Sequence, residues 1–109
     1  MADESIVKVI QQYLRALVGQ GLPVECAVIF GSQARGSVHQ WSDIDVLVVS
    51  PRYDQQHTWD DVSQLWRTAA RTDSRIEPIP VGSRQFAEDD FSAIIAAARR
   101  EGQKVMLSA

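Results

Sequence analysis

The sequence contains a single cysteine, Cys26, so it cannot close an internal disulfide or supply paired cysteines to a zinc site. Free cysteines are usually buried, and we expect Cys26 to be a core thiol. No apolar run approaches the length of a membrane span. The segment 1–4 is acidic, whereas a secretory signal begins with positive charge followed by an apolar stretch. These absences predict a cytoplasmic protein with no membrane partner.

Basic residues are also scarce, at 11 Lys and Arg against 14 Asp and Glu, which gives a net charge of −3. Because nucleic-acid backbones are bound mainly through clustered Lys and Arg, we do not expect nucleic acid as the main partner. A chain of 109 residues can bury one compact core but has little room for a second, substrate-binding domain. We therefore assign residues 1–109 to one domain.

Hydrophobic residues at helical spacing predict three helices. The first follows Ser5 as N-cap and ends at Gly19. The second begins at Trp59, where Thr58 and Asp61 have the spacing of a capping box.

The third predicted helix covers 89–101 and ends before Gly102, with Arg99 and Arg100 in its last turn. We expect the second and third helices to turn their apolar side chains inward. These side chains are Trp59 and Trp66 in the second helix and Phe91, Ile94, Ile95 and Ala98 in the third. For the two tryptophans, core packing is favoured over stacking on a base.

Short β-branched and apolar runs predict strands at 24–30, 44–49 and 76–81, with a further short strand at 105–107. Pro78 and Pro80 place the third strand at a sheet edge, because proline cannot donate to a strand ladder. The crossover through the second helix predicts that the second and third strands are parallel. The first two strands are expected to be antiparallel neighbours. This order indicates an α/β or α+β domain.

Asp43 and Asp45 are separated by one residue on the second strand, so both carboxylates point to the same face. Two such charges repel each other unless a cation lies between them, and hard oxygen ligands favour Mg²⁺ or Mn²⁺. A short motif of this kind also occurs at solvent-exposed strand ends that bind nothing, and this alternative stays open on the motif alone.

The loop between the first two strands has the composition of a phosphate-binding turn. Gly31 and Ser32 end the first strand, and their amides and the hydroxyl could hold phosphate oxygens. Arg35 and Gly36 add a cation and further access to the backbone. Any hairpin loop can have a Gly-Ser turn, so it is the combination with the acidic pair that indicates chemistry.

The segments GSQARG at 31–36 and SDIDVLVV at 42–49 closely resemble the motif of the minimal nucleotidyltransferases in the DNA polymerase β superfamily. The resemblance extends over essentially the whole chain. It implies a small mixed sheet flanked by helices, ATP as the nucleoside triphosphate substrate, and a reaction that uses two Mg²⁺ ions, with Mn²⁺ as an alternative. Gly31, Ser32, Arg35 and Gly36 would then bind the triphosphate.

The family also places a third carboxylate on the adjacent strand, and Glu77 occupies the matching position, where many members have Asp. The resemblance implies that Asp43, Asp45 and Glu77 are the metal ligands and the catalytic residues. Glu77 would ligate the second metal, act as general base toward an acceptor hydroxyl, or do both. An exposed edge position without function is the alternative, and Asp73 in the preceding turn is a weaker substitute.

Members of this size commonly pair with a small helical HEPN protein as the antitoxin of a toxin-antitoxin module, and some transfer AMP to a tyrosine of that toxin. The resemblance favours this activity and this partner, in a hetero-oligomer or a homo-oligomer. Three alternatives remain open: a binding-only antitoxin, transfer to a small hydroxylated acceptor such as an aminoglycoside, and a module that senses nucleotide without turnover.

Overall fold

A computed structural model describes residues 2–31, 43–55 and 57–107. Within these ranges a mixed sheet is flanked by helices on both faces. Its strands are β1 (Cys26–Phe30), β2 (Ile44–Ser50), β3 (Ile76–Gly82) and β4 (Gln103–Val105), and its helices are α1 (Glu4–Gly19), α2 (Trp59–Thr72), α3 (Ser83–Glu88) and α4 (Ala93–Glu101). A short 3-10 helix at Pro51–Asp54 follows β2.

The strands are ordered β3-β2-β1-β4. β1 is antiparallel to both β2 and β4, and β2 is parallel to β3. This confirms the predicted antiparallel pair, the parallel crossover and the edge position of the strand that contains Pro78 and Pro80. The terminal strand begins two residues earlier than the predicted 105–107 because the chain joins β1 directly after Gly102.

The sheet separates two hydrophobic clusters because alternate side chains of a strand point to opposite faces. On one face Ile29 and Val46 pack with Tyr13 of α1 and Leu65 of α2. On the other, Val28, Leu47 and Val49 pack with Ile95 and Ala98 of α4. Cys26 lies in this second cluster with its side chain buried, as predicted.

The helix starts follow local hydrogen bonding more closely than apolar spacing. Asp3, not Ser5, caps α1, and its carboxylate accepts from the backbone N–H of Ser5. The capping box predicted at the start of α2 is present: Thr58 Oγ1 accepts from the Asp61 N–H, and Asp61 accepts from the Thr58 N–H at 2.9 Å.

The prediction of one helix over 89–101 is wrong in its first turn. Asp89 Oδ1 accepts from the backbone N–H groups of Phe91 and Ser92, which turns the chain there, and α4 begins behind Ser92 as N-cap. Phe91 consequently points to solvent with 99% of its surface exposed, and Ile94 is also exposed at 47%. Ile95 and Ala98 are buried, as expected.

The predicted core packing of the two α2 tryptophans is also wrong. Trp59 is 81% exposed and Trp66 is 47% exposed, because Asp61, Leu65, Thr68 and Ala69 form the buried side of α2 instead. No helix in the described ranges is long and apolar enough to cross a membrane.

Candidate active site

The two aspartates lie where β2 begins. Asp45 is the second residue of β2 and is half-buried, and Asp43 directly precedes the strand and is exposed. Ile44 between them is fully buried on the opposite face, and its N–H donates to the Arg75 carbonyl at 2.8 Å. The anchored Ile44 therefore directs both carboxylates to the other face of the sheet.

Glu77 lies beside this pair on the neighbouring strand. The parallel register pairs Asp45 with Glu77, which places both side chains on the same face. Partial burial raises the pKa of Glu77 above its ordinary value, and the charges of Asp43 and Asp45, with hydrogen bonding to both, raise it further. The three predicted carboxylates are thus neighbours, and the two aspartates disfavour the ionised form of Glu77.

Gly31 completes the site from the end of β1. Its φ of +72° lies in the left-handed region, which residues other than glycine rarely adopt. A Cβ at this position would lie 2.8 Å from Asp45 Oδ2, so the carboxylate occupies the space that a side chain would need. The start of the predicted phosphate-binding loop therefore lies beside one of the predicted metal ligands.

Asp73 is not available as a substitute for Glu77. Its Oδ1 accepts from the Arg75 backbone N–H at 2.9 Å and from Arg75 Nε at 3.0 Å, and its Oδ2 lies 2.7 Å from Arg75 Nη2. These hydrogen bonds hold the pKa of Asp73 below its ordinary value and that of Arg75 above it. The pair instead supports the turn that leads into β3, a role that the sequence spacing did not reveal.

The sequence matches the nucleotidyltransferase domain family over residues 7–97. The chain belongs to this family. No curated protein matches it. Among solved structures, this nucleotidyltransferase is similar to a candidate nucleotidyltransferase from Sulfolobus solfataricus, with a TM-score of 0.64 and 18% identity over 90% of this chain and 77% of that one. It is also similar to a protein from a toxin-antitoxin structure with AMP-PNP, with a TM-score of 0.60 and 18% identity over 90% and 73% of the two chains. At this identity the similarity shows the shared fold.

The donor set of the nucleotidyltransferase fits a hard divalent cation, because Asp43, Asp45 and Glu77 supply only carboxylate oxygens. Within the described ranges, no group of three or more His, Cys, Asp or Glu side chains is arranged so that it could hold a metal ion as it stands.

The remaining loop predictions of the nucleotidyltransferase fall outside the described residues. Ser32, Arg35 and Gly36 belong to the segment 32–42, and their predicted contact with triphosphate stays a prediction.

Proposed function

We propose that this chain transfers AMP from ATP, in a reaction that depends on Mg²⁺, to a hydroxyl on a partner protein. One observation carries the proposal: Asp43, Asp45 and Glu77 are neighbours on one face at the end of the sheet, where the Asp45 carboxylate occupies the space that a side chain at Gly31 would need. Carboxylates that repel one another in this way are stabilised by cations, and a metal-bound triphosphate would supply those cations.

In this proposal Asp43 and Asp45 bind Mg²⁺, with Mn²⁺ as a substitute, and Gly31 begins the loop that receives the leaving pyrophosphate. Ser32, Arg35 and Gly36 extend that loop. The bound cations would neutralise the charge of the triphosphate and of the attacking and leaving oxygens. Catalysis then consists mainly of positioning and charge stabilisation.

Glu77 would hold or orient the acceptor hydroxyl as well as ligate metal. As a carboxylate beside the proposed metal ligands, it can accept a proton from an incoming hydroxyl or orient that hydroxyl by a hydrogen bond. In the described part of the chain no further strand pairs with the outer side of β3, and an acceptor can approach Glu77 from there.

The proposed acceptor is a tyrosine of a separately encoded helical HEPN protein, with the present chain as its antitoxin. The motif resemblance supports this partner, and so does the shared fold with a protein from a toxin-antitoxin structure that contains AMP-PNP. We propose that the 109 residues act as one catalytic domain and that the partner contributes the hydroxyl.

The metal assignment is tested by titrating purified protein with ATP in a calorimeter, with and without Mg²⁺. We expect binding only with the metal, and its loss in the Asp43→Asn, Asp45→Asn double variant, which keeps side-chain size but removes both charges. Asp73→Asn is the matched control, because Asp73 is paired with Arg75 outside the proposed ligand set. Undiminished Mg-ATP affinity in the double variant would refute these residues as ligands.

The transfer step is tested by incubating the chain and the HEPN partner with labelled ATP and weighing both proteins by mass spectrometry. We expect the partner to gain one AMP, and Glu77→Gln to reduce labelling far more than complex formation, because base catalysis and positioning act after docking. If the partner gains no nucleotide mass and the double variant at Asp43 and Asp45 still neutralises it, the chain is a binding-only antitoxin.

A further inference from the structure

The outward face of α2 leaves two large aromatic side chains exposed to solvent. Trp59 is 81% exposed and Trp66 is 47% exposed. At 3.6 residues per turn, Trp59, Ser63, Trp66 and Ala70 fall within about 60° of the helix circumference. They form a stripe, which we call the Trp stripe, of two large side chains alternating with two small ones.

The order of sizes along the Trp stripe is complementary to itself when a second α2 runs antiparallel. In the register that places Trp59 opposite Ala70 of the second copy, Trp66 lies opposite Ser63 of that copy. Each large side chain thus meets a small one, and both contacts occur twice because the arrangement has two-fold symmetry. Interlocking of large and small side chains is how helix surfaces reach close packing.

Charges beside the Trp stripe agree with the same register. Asp60, Arg67 and Arg71 are exposed and lie along one flank of α2. Two-fold symmetry brings this flank against its copy, and Asp60 then falls level with the midpoint between Arg67 and Arg71 of the second copy. None of the three takes part in an ion pair within the described ranges. Opposite charges at the rim of an apolar contact favour one orientation over others.

We propose that two copies of this chain form a dimer through antiparallel packing of the Trp stripes of α2. The inner side of α2 packs on the sheet face lined by Ile29 and Val46. The carboxylates of Asp45 and Glu77 point to the other face. The dimer therefore leaves both candidate active sites open, and it goes beyond the proposed transfer reaction without depending on it.

Sedimentation equilibrium of the purified full-length chain over a wide concentration range tests the proposal. We expect a reversible monomer-dimer equilibrium, weakened about tenfold or more by Trp59→Ala. Phe91→Ala is the matched control, since Phe91 is an equally apolar side chain with 99% exposure outside α2, and the equilibrium should not change. Circular dichroism should show that both variants stay folded, because both side chains lie mainly in solvent.

Charge exchange provides a second, independent measurement. Asp60→Arg alone makes the flank entirely basic, and Arg67→Asp with Arg71→Asp makes it entirely acidic; each should weaken self-association about tenfold or more. An equimolar mixture of these two variants should form a mixed dimer, and all three changes in one chain should restore the dimer. A chain that stays monomeric at every concentration would refute the proposal, as would charge variants that associate like the unaltered protein. The proposal would also be refuted if the chain alone is monomeric and a different protein binds the Trp stripe.

Discussion

Replacing Gly31 with alanine should disturb the candidate active site directly. Gly31 has a φ of +72°, and alanine in the left-handed region costs roughly 1–2 kcal/mol. Its new Cβ would also lie 2.8 Å from Asp45 Oδ2, so the Asp45 side chain must rotate away. A side chain about 30° off its preferred rotamer costs roughly 0.5–1.5 kcal/mol. Gly31→Ala should therefore lower the free energy of unfolding by about 2–3 kcal/mol.

Gly21→Ala is the matched control. Gly21 has a φ of +95°, so alanine there meets the same kind of backbone strain, but a Cβ would have no heavy atom within 4 Å. The loss of chain entropy in the unfolded state is the same for both substitutions and cancels in the comparison. The main remaining difference between the two variants is the close approach of the new Cβ at position 31 to the Asp45 carboxylate.

Urea denaturation of both variants gives the free energies, and calorimetry with Mg-ATP gives the effect on the site. We expect Gly31→Ala to be the less stable variant by about 1 kcal/mol and to bind Mg-ATP more weakly, while Gly21→Ala binds normally. Adding Asp45→Ala to Gly31→Ala should recover the stability difference, because it removes the crowded carboxylate. Equal stability of the two alanine variants together with unchanged Mg-ATP affinity would refute this account of Gly31.

Two further predictions concern stability. Asp61→Asn should destabilise the protein by about 1 kcal/mol near neutral pH, because hydrogen bonds from the Thr58 backbone and from Arg52 hold the pKa of Asp61 below its ordinary value. Such an acid stabilises the fold above its unfolded pKa, and this contribution disappears as pH falls through the folded pKa. Thermal melts should therefore show the difference in stability between the two proteins closing as pH falls below the ordinary pKa of an aspartate. Tyr13→Phe should cost about 1 kcal/mol in urea denaturation, since the buried Tyr13 hydroxyl donates to the Leu65 carbonyl at 2.9 Å. Tyr53→Phe is its control and should cost less, because Tyr53 Oη has no hydrogen-bond partner in the described part of the chain.

The meeting of Asp45 and Glu77 could be predicted from sequence because two independent constraints agreed. The prolines at 78 and 80 confined β3 to an edge, and the helical crossover made it parallel to β2. Once those two facts hold, the acidic residues at the starts of both strands must lie at the same end of the sheet.

The orientation of α2 could not be predicted in the same way. Helical spacing shows that Trp59 and Trp66 share a face, but tertiary packing decides which face is buried. The smaller residues Thr68 and Ala69 pack with Leu65 against the sheet instead. Local hydrogen bonding likewise overrides apolar spacing at Asp89, which turns the chain before α4. α3 was missed because six residues give too little periodicity to recognise.

The prolines of β3 have a consequence for how the molecule can associate. An edge strand normally offers backbone N–H groups to which another chain can add a strand. Pro78 and Pro80 lack those donors, and proline is tolerated at an edge only where its nitrogen points away from the neighbouring strand. The outer edge of β3 is therefore a poor template for strand addition, both next to Glu77 and toward the end of the strand. Strand addition through this edge is disfavoured, and a partner that approaches the carboxylates from this side finds backbone carbonyls but no N–H donors at Pro78 and Pro80.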